Sequence, residues 1–163
     1  MDAKGKNDLT TAGRKSDREM VVTRTFNAPA RIVFQAWTTA ELFKQWWVPK
    51  SFGLTLLSCE MDARVGGGYR LVFRHPAAEE PAAFFGSYLE VVPNARLVWT
   101  NEEGGENGAV TTVTFEEKGG ATFVVMRDLY PSKEALNEAI ASGSTAGGFE
   151  ETFSQLDELL LAL

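Results

Sequence analysis

The chain has little cysteine, little histidine and no long apolar run. Cys59 is the only cysteine in 163 residues, so no intramolecular disulfide can form and a cytoplasmic location is the expectation. In an apolar strand it reads as a small buried hydrophobe rather than a nucleophile. His75 is the only histidine, and no H-E-x-x-H, C-x-x-C or calcium-loop spacing occurs, so neither a metal nor another cofactor is expected. A serine triad would need His75, no G-x-S-x-G is present, and Gly143-Ser144 follows a helix rather than a strand. Basic residues are scarce too: 16 Lys and Arg against 22 Asp and Glu leave a formal net charge of -6. That balance argues against a nucleic-acid partner, which needs clustered Lys and Arg. No apolar stretch approaches the roughly 18 residues of a membrane span. The first 19 residues, with five basic and four acidic side chains and no apolar core, do not read as a secretory signal.

Aromatic residues, by contrast, are plentiful and clustered. Trp37, Trp46 and Trp47, three of the four tryptophans, fall within Ala36 to Pro49. Tryptophan buries the largest area of any side chain, so this cluster anchors a core, a pocket wall or a partner's surface. Residues 1–18 are polar and aperiodic and are expected to form a disordered tail, with one domain over 19–163.

Order is expected to begin with the strand Glu19 to Phe26. Pro29 suits the first turn of a helix, capped by Asn27 or Ala28, whose stripe is Ile32, Val33, Ala36 and Trp37. Thr38 or Thr39 can cap a second short helix carrying Leu42, Phe43, Trp46 and Trp47, ended by Pro49. Adjacent Trp46 and Trp47 point about 100° apart on a helix: one should seal the end of the sheet, the other flank a cavity mouth. Period-two patterning then predicts strands over Phe52–Asp62, Gly68–His75, Phe84–Val92, Arg96–Asn101, Val110–Glu116 and Thr122–Leu129. Their short Gly-, Pro- and Asn-rich connections imply an antiparallel meander. Asp62 with Gly66-Gly67-Gly68 lacks the residues of a phosphate loop and reads as a tight turn, Asp62 bonding loop amides. Ser132 caps a helix over Lys133–Ala141, and after Ser142-Gly143 a last helix carries the seam Phe149, Phe153, Leu156, Leu160, Leu163. The only surface large enough to bury that seam is the sheet. The fold class is therefore α+β: a curved antiparallel sheet wrapped around a long C-terminal helix, with two short helices after the first strand.

Four segments carry a family likeness: Ala28 to Thr38, Trp46-Trp47-Val48-Pro49, Asp62 to Arg70, and Gly86 to Thr100. With the final helix from Gly148-Phe149, they make the chain similar to the START-like (SRPBCC, helix-grip) superfamily. Within it the chain resembles proteins like the activator of the heat-shock protein 90 ATPase, over about residues 20–163. The resemblance implies a cavity between the long helix and the concave sheet. Members of the superfamily bind lipids, steroids, polyketides or plant metabolites, and some catalyse reactions there. Many members have Gly where Val48 stands and Trp at or near Phe149, so the cavity's shape here need not follow theirs.

The cavity candidates are Phe43, Trp46, Trp47, Phe52, Tyr69, Phe73, Phe85, Trp99, Phe115, Arg127, Phe149 and Phe153. As a set they are too bulky to pack without gaps around one helix, although any one of them can equally be core. His75 shares the face of Tyr69, Leu71 and Phe73, but Pro76 after it favours an exposed strand end over acid–base chemistry. Arg127 and Asp128 interrupt an apolar run, so one of them faces inward or ends the strand. An inward Arg127 would meet an anionic ligand group or a carboxylate; the alternative leaves it in water. Arg70 and Arg74 alternate with inward residues and should face solvent. The expected function is binding of a small hydrophobic ligand without turnover. The alternatives are stimulation of a chaperone ATPase, as the resemblance implies, and an enzyme using His75, Tyr69 or Arg127. Either a monomer or a homodimer is compatible with the pattern.

Overall fold

The computed structural model describes residues 10–141 and 149–163. Eight strands form one antiparallel sheet: β1 (Thr10–Arg14), β2 (Glu19–Phe26), β3 (Thr55–Met61), β4 (Gly68–Arg74), β5 (Ala82–Val92), β6 (Arg96–Thr100), β7 (Val110–Lys118) and β8 (Ala121–Leu129). Their order is β1-β2-β8-β7-β6-β5-β4-β3. The run from β3 to β8 is a meander, and β2 closes against β8 in full register from Glu19↔Leu129 to Phe26↔Thr122. Among the described residues, four α-helices complete the fold: α1 (Ala30–Thr38), α2 (Ala40–Phe43), α3 (Lys133–Ala141) and α4 (Phe149–Leu161). Short 3-10 turns occupy Lys50–Phe52 and Glu102–Asn107.

β1 corrects the expectation of a tail over 1–18. Its sequence, Thr-Thr-Ala-Gly-Arg, lacks apolar alternation and is held by backbone pairing to β2 and by a Thr11–Thr23 hydroxyl contact. Residues 1–9 lie outside the described part. The predicted strand at 52–62 begins only at Thr55, because Pro49 and the left-handed Gly53 shape a 3-10 turn before it.

The sheet bends at β5. Residues 82–87 of this strand pair with β4, whereas Tyr88 to Val92 pair with β6, and a bulge lies between Tyr88 and Glu90. A bulge bends its strand and increases the local twist. Gly86 sits at the bend, where a Cβ would meet the Thr100 carbonyl oxygen at 2.0 Å; only glycine lets the two strands approach so closely.

The helices cap the concave face. The amide of Ala30 at the start of α1 is taken by the Glu117 carboxylate from β7 at 2.9 Å, so the cap comes from across the fold rather than from Asn27. Ser132 caps α3 through the Ala135 amide. On α4, Phe153, Leu156 and Leu160 are buried, Phe149 is half-buried, and Leu163 lies exposed beyond the helix end. α4 contacts α1, β1 and β2. Its seam meets Val22, Phe26, Val33 and Trp37 in the main core, while Met20, Ala109, Tyr130, Ala135 and Leu136 form a second cluster under α3.

One inward polar residue was unforeseen. Arg24, 4 % exposed, lies between Val22 and Phe26 on β2 and donates to Asp157 Oδ2 of α4 at 2.7 Å and to Thr10 Oγ1 at 2.8 Å. A buried guanidinium is tolerated only when paired in this way.

Candidate functional site

Trp37, at the end of α1's buried stripe, is the hub of the aromatic core. Its ring lies within 6.2 Å of the rings of Trp46, Trp47, Trp99, Phe115 and Phe153. Trp46 is fully buried and gives its indole N–H to the Ala36 carbonyl at 3.0 Å. Trp47 is half-buried and stacks on Phe43 at 4.8 Å. Gln155 of α4 fixes this segment: its amide nitrogen donates to the carbonyls of Trp46 and Val48, and its oxygen accepts from the Lys50 amide. Glu151 accepts from the amide and hydroxyl of Ser51, and these bonds lower its carboxyl pKa.

A cavity of about 30 Å³ lies between this tryptophan segment and the β3–β6 half of the sheet. It is lined by Trp37, Phe43, Trp47, Met61, Tyr69, Leu71, Phe84, Tyr88, Trp99 and Asn101. That volume holds about one or two waters, so the rings fill most of the space they enclose. None of the lining residues belongs to α4. This space therefore differs from the expected one between the C-terminal helix and the sheet, and on α4 the Phe153 and Leu156 side chains are fully buried.

One end of the cavity is polar. Tyr69 faces Gly86 across the β4–β5 pair, and its hydroxyl donates to the Thr100 carbonyl at 2.7 Å, with Asn101 Oδ1 3.3 Å away. Asn101 donates to the Ala109 carbonyl and to Thr111 Oγ1, both at 2.8 Å, and Thr111 donates to Asp128 Oδ1 at 2.6 Å. Desolvation pushes the Asp128 carboxyl up to about 6, against the opposing hydrogen bond from Thr111. Burial raises Tyr69 and Tyr88 far above the ordinary phenol range, with Glu103 adding to the effect at Tyr69 and Cys59 at Tyr88. Both stay neutral hydroxyls at any physiological pH. Burial also raises the Cys59 thiol, which keeps it a poor nucleophile.

Of the expected cavity residues, Phe43, Trp47, Tyr69 and Trp99 line this space. Trp46, Phe73, Phe115 and Phe153 are buried core, and Phe149 supports Trp47 from behind at 5.8 Å. Three stand elsewhere. Phe52 is half exposed on the 3-10 turn. Phe85 pairs with Arg70 on the outer face, where the guanidinium covers its ring. Arg127 is exposed and meets Glu19 at 3.6 Å; the inward member of its pair is Asp128. His75 is exposed, and its Nδ1 accepts from the Ala77 amide. The Asp62 carboxylate binds Arg64 rather than the loop amides. Gly143 and Ser144 lie outside the described residues.

Sequence reasoning missed six lining residues: Met61, Phe84, Tyr88 and Asn101, together with Trp37 and Leu71, which it read only as buried or inward-facing. A period-two count taken outward from Trp99 and Tyr69, which pair with Tyr88 and Gly86, would have selected Phe84, Gly86 and Tyr88 instead of Phe85. Among the described residues no three His, Cys, Asp or Glu side chains are grouped to hold a metal ion, and no helix is long and apolar enough to cross a membrane.

An eight-stranded antiparallel sheet curved around a C-terminal helix, with a helical pair closing over its concave face, defines a helix-grip protein of the START-like class. More narrowly, the chain belongs to the family described as Activator of Hsp90 ATPase homolog 1-like protein, whose model matches residues 27–161. Among solved structures, a Rhodobacter sphaeroides protein is similar with a TM-score of 0.83 and 24% identity, covering 94% of this chain and 99% of that one. A Staphylococcus epidermidis protein is similar with a TM-score of 0.75 and 29% identity, covering 93% of this chain and 94% of the other. An AHSA1-like protein from Aeromonas hydrophila has a TM-score of 0.66 and 16% identity, covering 85% and 93%. No curated protein matches the sequence.

Proposed function

We propose that this protein binds a small hydrophobic ligand between the Trp37–Trp47 segment and the β3–β6 half of the sheet. The observation that carries the reading is the composition of that wall: mostly aromatic and aliphatic side chains, with the Tyr69 hydroxyl and the Asn101 amide at one end. Ligand sites have this character, mostly apolar with a few placed polar groups. The resting volume is smaller than a ligand ring, so entry requires side chains at the rim to move. We assign that movement to Phe84, 39 % exposed with its ring edge-on to Phe73, and to half-buried Met61. Binding is tested by thermal unfolding with indane, naphthalene and 1-indanone. A ligand at a hundredfold excess over its Kd stabilises by about 2.7 kcal/mol, which raises Tm by roughly 5–10 °C for a chain of this size. No shift with any of the panel, together with native mass spectrometry finding the protein empty, contradicts the reading.

A second reading follows from the family description itself: contact with an Hsp90-type chaperone that stimulates its ATPase. A pull-down and ATPase assay with the host chaperone tests it. Failure to bind at micromolar concentration removes it.

A further inference from the structure

The two fully buried tryptophans differ in one respect. Trp46 satisfies its indole N–H with the Ala36 carbonyl. The Trp37 indole N–H, in a residue only 1 % exposed, has no hydrogen-bond partner among the described residues. An orphaned buried donor is costly and calls for a cause. Trp37 also lines the cavity. At this cavity the Tyr69 proton goes to Thr100 and the Asn101 amide protons to Ala109 and Thr111, while the Tyr88 hydroxyl and the Trp47 and Trp99 indoles are not sealed off as the Trp37 N–H is. Among the lining residues, the donor both fully buried and without a partner is at Trp37.

Charge narrows the ligand further. No charged side chain lines the cavity, and the carboxylates of Glu103, Glu102 and Asp128 act on Tyr69 at its polar end. An anionic ligand would meet a negative field without a counter-ion. The walls are faces and edges of Trp37, Trp47, Trp99 and Phe43, which select a flat apolar body.

Resting on the ligand-binding reading above, we propose that the ligand is a small, flat, uncharged molecule bearing a carbonyl-type acceptor, and that the Trp37 indole N–H is the group that recognises it. The occupant satisfies the sealed donor of the cavity wall, and its ring takes the place of rim side chains against Trp47 and Trp99; the other buried donor without a partner, Arg24 Nε, lies away from this cavity beside Asp157.

The test compares 1-indanone with indane, which differ by a carbonyl in place of a methylene, on the wild-type protein and on Trp37→Phe. In the wild type the ketone binds about five- to tenfold more tightly, the effect of one hydrogen bond. In Trp37→Phe the two ligands bind alike. In 15N-labelled wild type, the indole cross-peak absent from Trp37→Phe moves downfield with 1-indanone and not with indane. If Trp37→Phe does not fold, the same peak is assigned by elimination from Trp46→Phe, Trp47→Phe and Trp99→Phe, and its response in the wild type decides. Equal affinities in the wild type, a ketone preference that persists in Trp37→Phe, or a Trp37 peak indifferent to the ketone overturns the assignment while leaving cavity binding intact. Binding of neither ligand contradicts the cavity reading itself, and the assignment falls with it.

Discussion

Arg24 on β2 and Asp157 on the C-terminal helix meet at 2.7 Å, with the guanidinium 5.4 Å over the Phe26 ring. The pair joins the second strand, β2, to the last helix, α4. Thr10 adds a third attachment from the edge strand. Arg24 is almost fully buried, so removing its partner leaves a charge with nowhere to go. Asp157→Ala should lower stability by about 2 kcal/mol, read as a shift of the urea midpoint. A double replacement of Arg24 by Met and Asp157 by Leu should recover most of that loss. An unchanged midpoint in Asp157→Ala contradicts the role given to the pair.

Gly86 marks where the sheet folds over the cavity. A methyl group there would meet the Thr100 carbonyl oxygen at 2.0 Å, inside any permissible contact. Gly86→Ala should destabilise by about 1–3 kcal/mol and disturb the Tyr69 hydroxyl bond to the same carbonyl. Denaturant unfolding with near-ultraviolet circular dichroism of the aromatic cluster reads both effects.

Asp128 makes stability depend on pH in an unusual direction for a carboxylate. Its folded-state pKa, about 6, lies above the ordinary 3.8, chiefly through desolvation. The folded protein therefore holds this proton more tightly than the unfolded chain. The stability it contributes is complete below about pH 4 and is lost as pH rises through about 6. Asp128→Asn still accepts from Thr111 and should be more stable than wild type at pH 7.5, by about 1–3 kcal/mol. It should also lack the fall in stability between those pH values. A variant less stable than wild type at pH 7.5 would contradict this.

Gln155 holds the tryptophan segment against α4 through three backbone groups. Gln155→Ala leaves the Trp46 carbonyl without that donor and should destabilise by about 1–3 kcal/mol. Amide hydrogen exchange at Lys50, whose N–H Gln155 accepts, should quicken well beyond the global change. Uniform exchange across the protein would show that the segment does not depend on this side chain.

Much of this arrangement was legible in the residues themselves. The alternation Tyr69, Leu71, Phe73 placed β4 correctly, and the spacing of Phe153, Leu156 and Leu160 gave the buried seam of α4. Trp46 and Trp47 do point apart, one into the core and one to the cavity wall, but from the turn that follows α2, because the helix expected to carry them ends at Phe43. Parity failed on β5, where the inward residues are Phe84 and Tyr88. Glycine at 86 hides the face on which the strand alternates, and the bulge resets the count beyond Tyr88. β1 gave no signal because its polar residues contribute backbone pairing rather than core. The inward position of Arg24 follows from its alternation with Val22 and Phe26, but its partner lies 133 residues away, and no local pattern contains that distance. The cavity's position likewise depends on how tightly α4 seats, which is a matter of packed volume rather than of pattern.

The central claim is where a ligand lodges, and methyl spectra of a titration with indane test it most directly. The account predicts saturable shifts at the Met61 and Leu71 methyl groups, which line the cavity, with Leu156 and Leu160 beneath α4 unmoved. Shifts centred on Leu156 and Leu160, or none at any of the four, would contradict it.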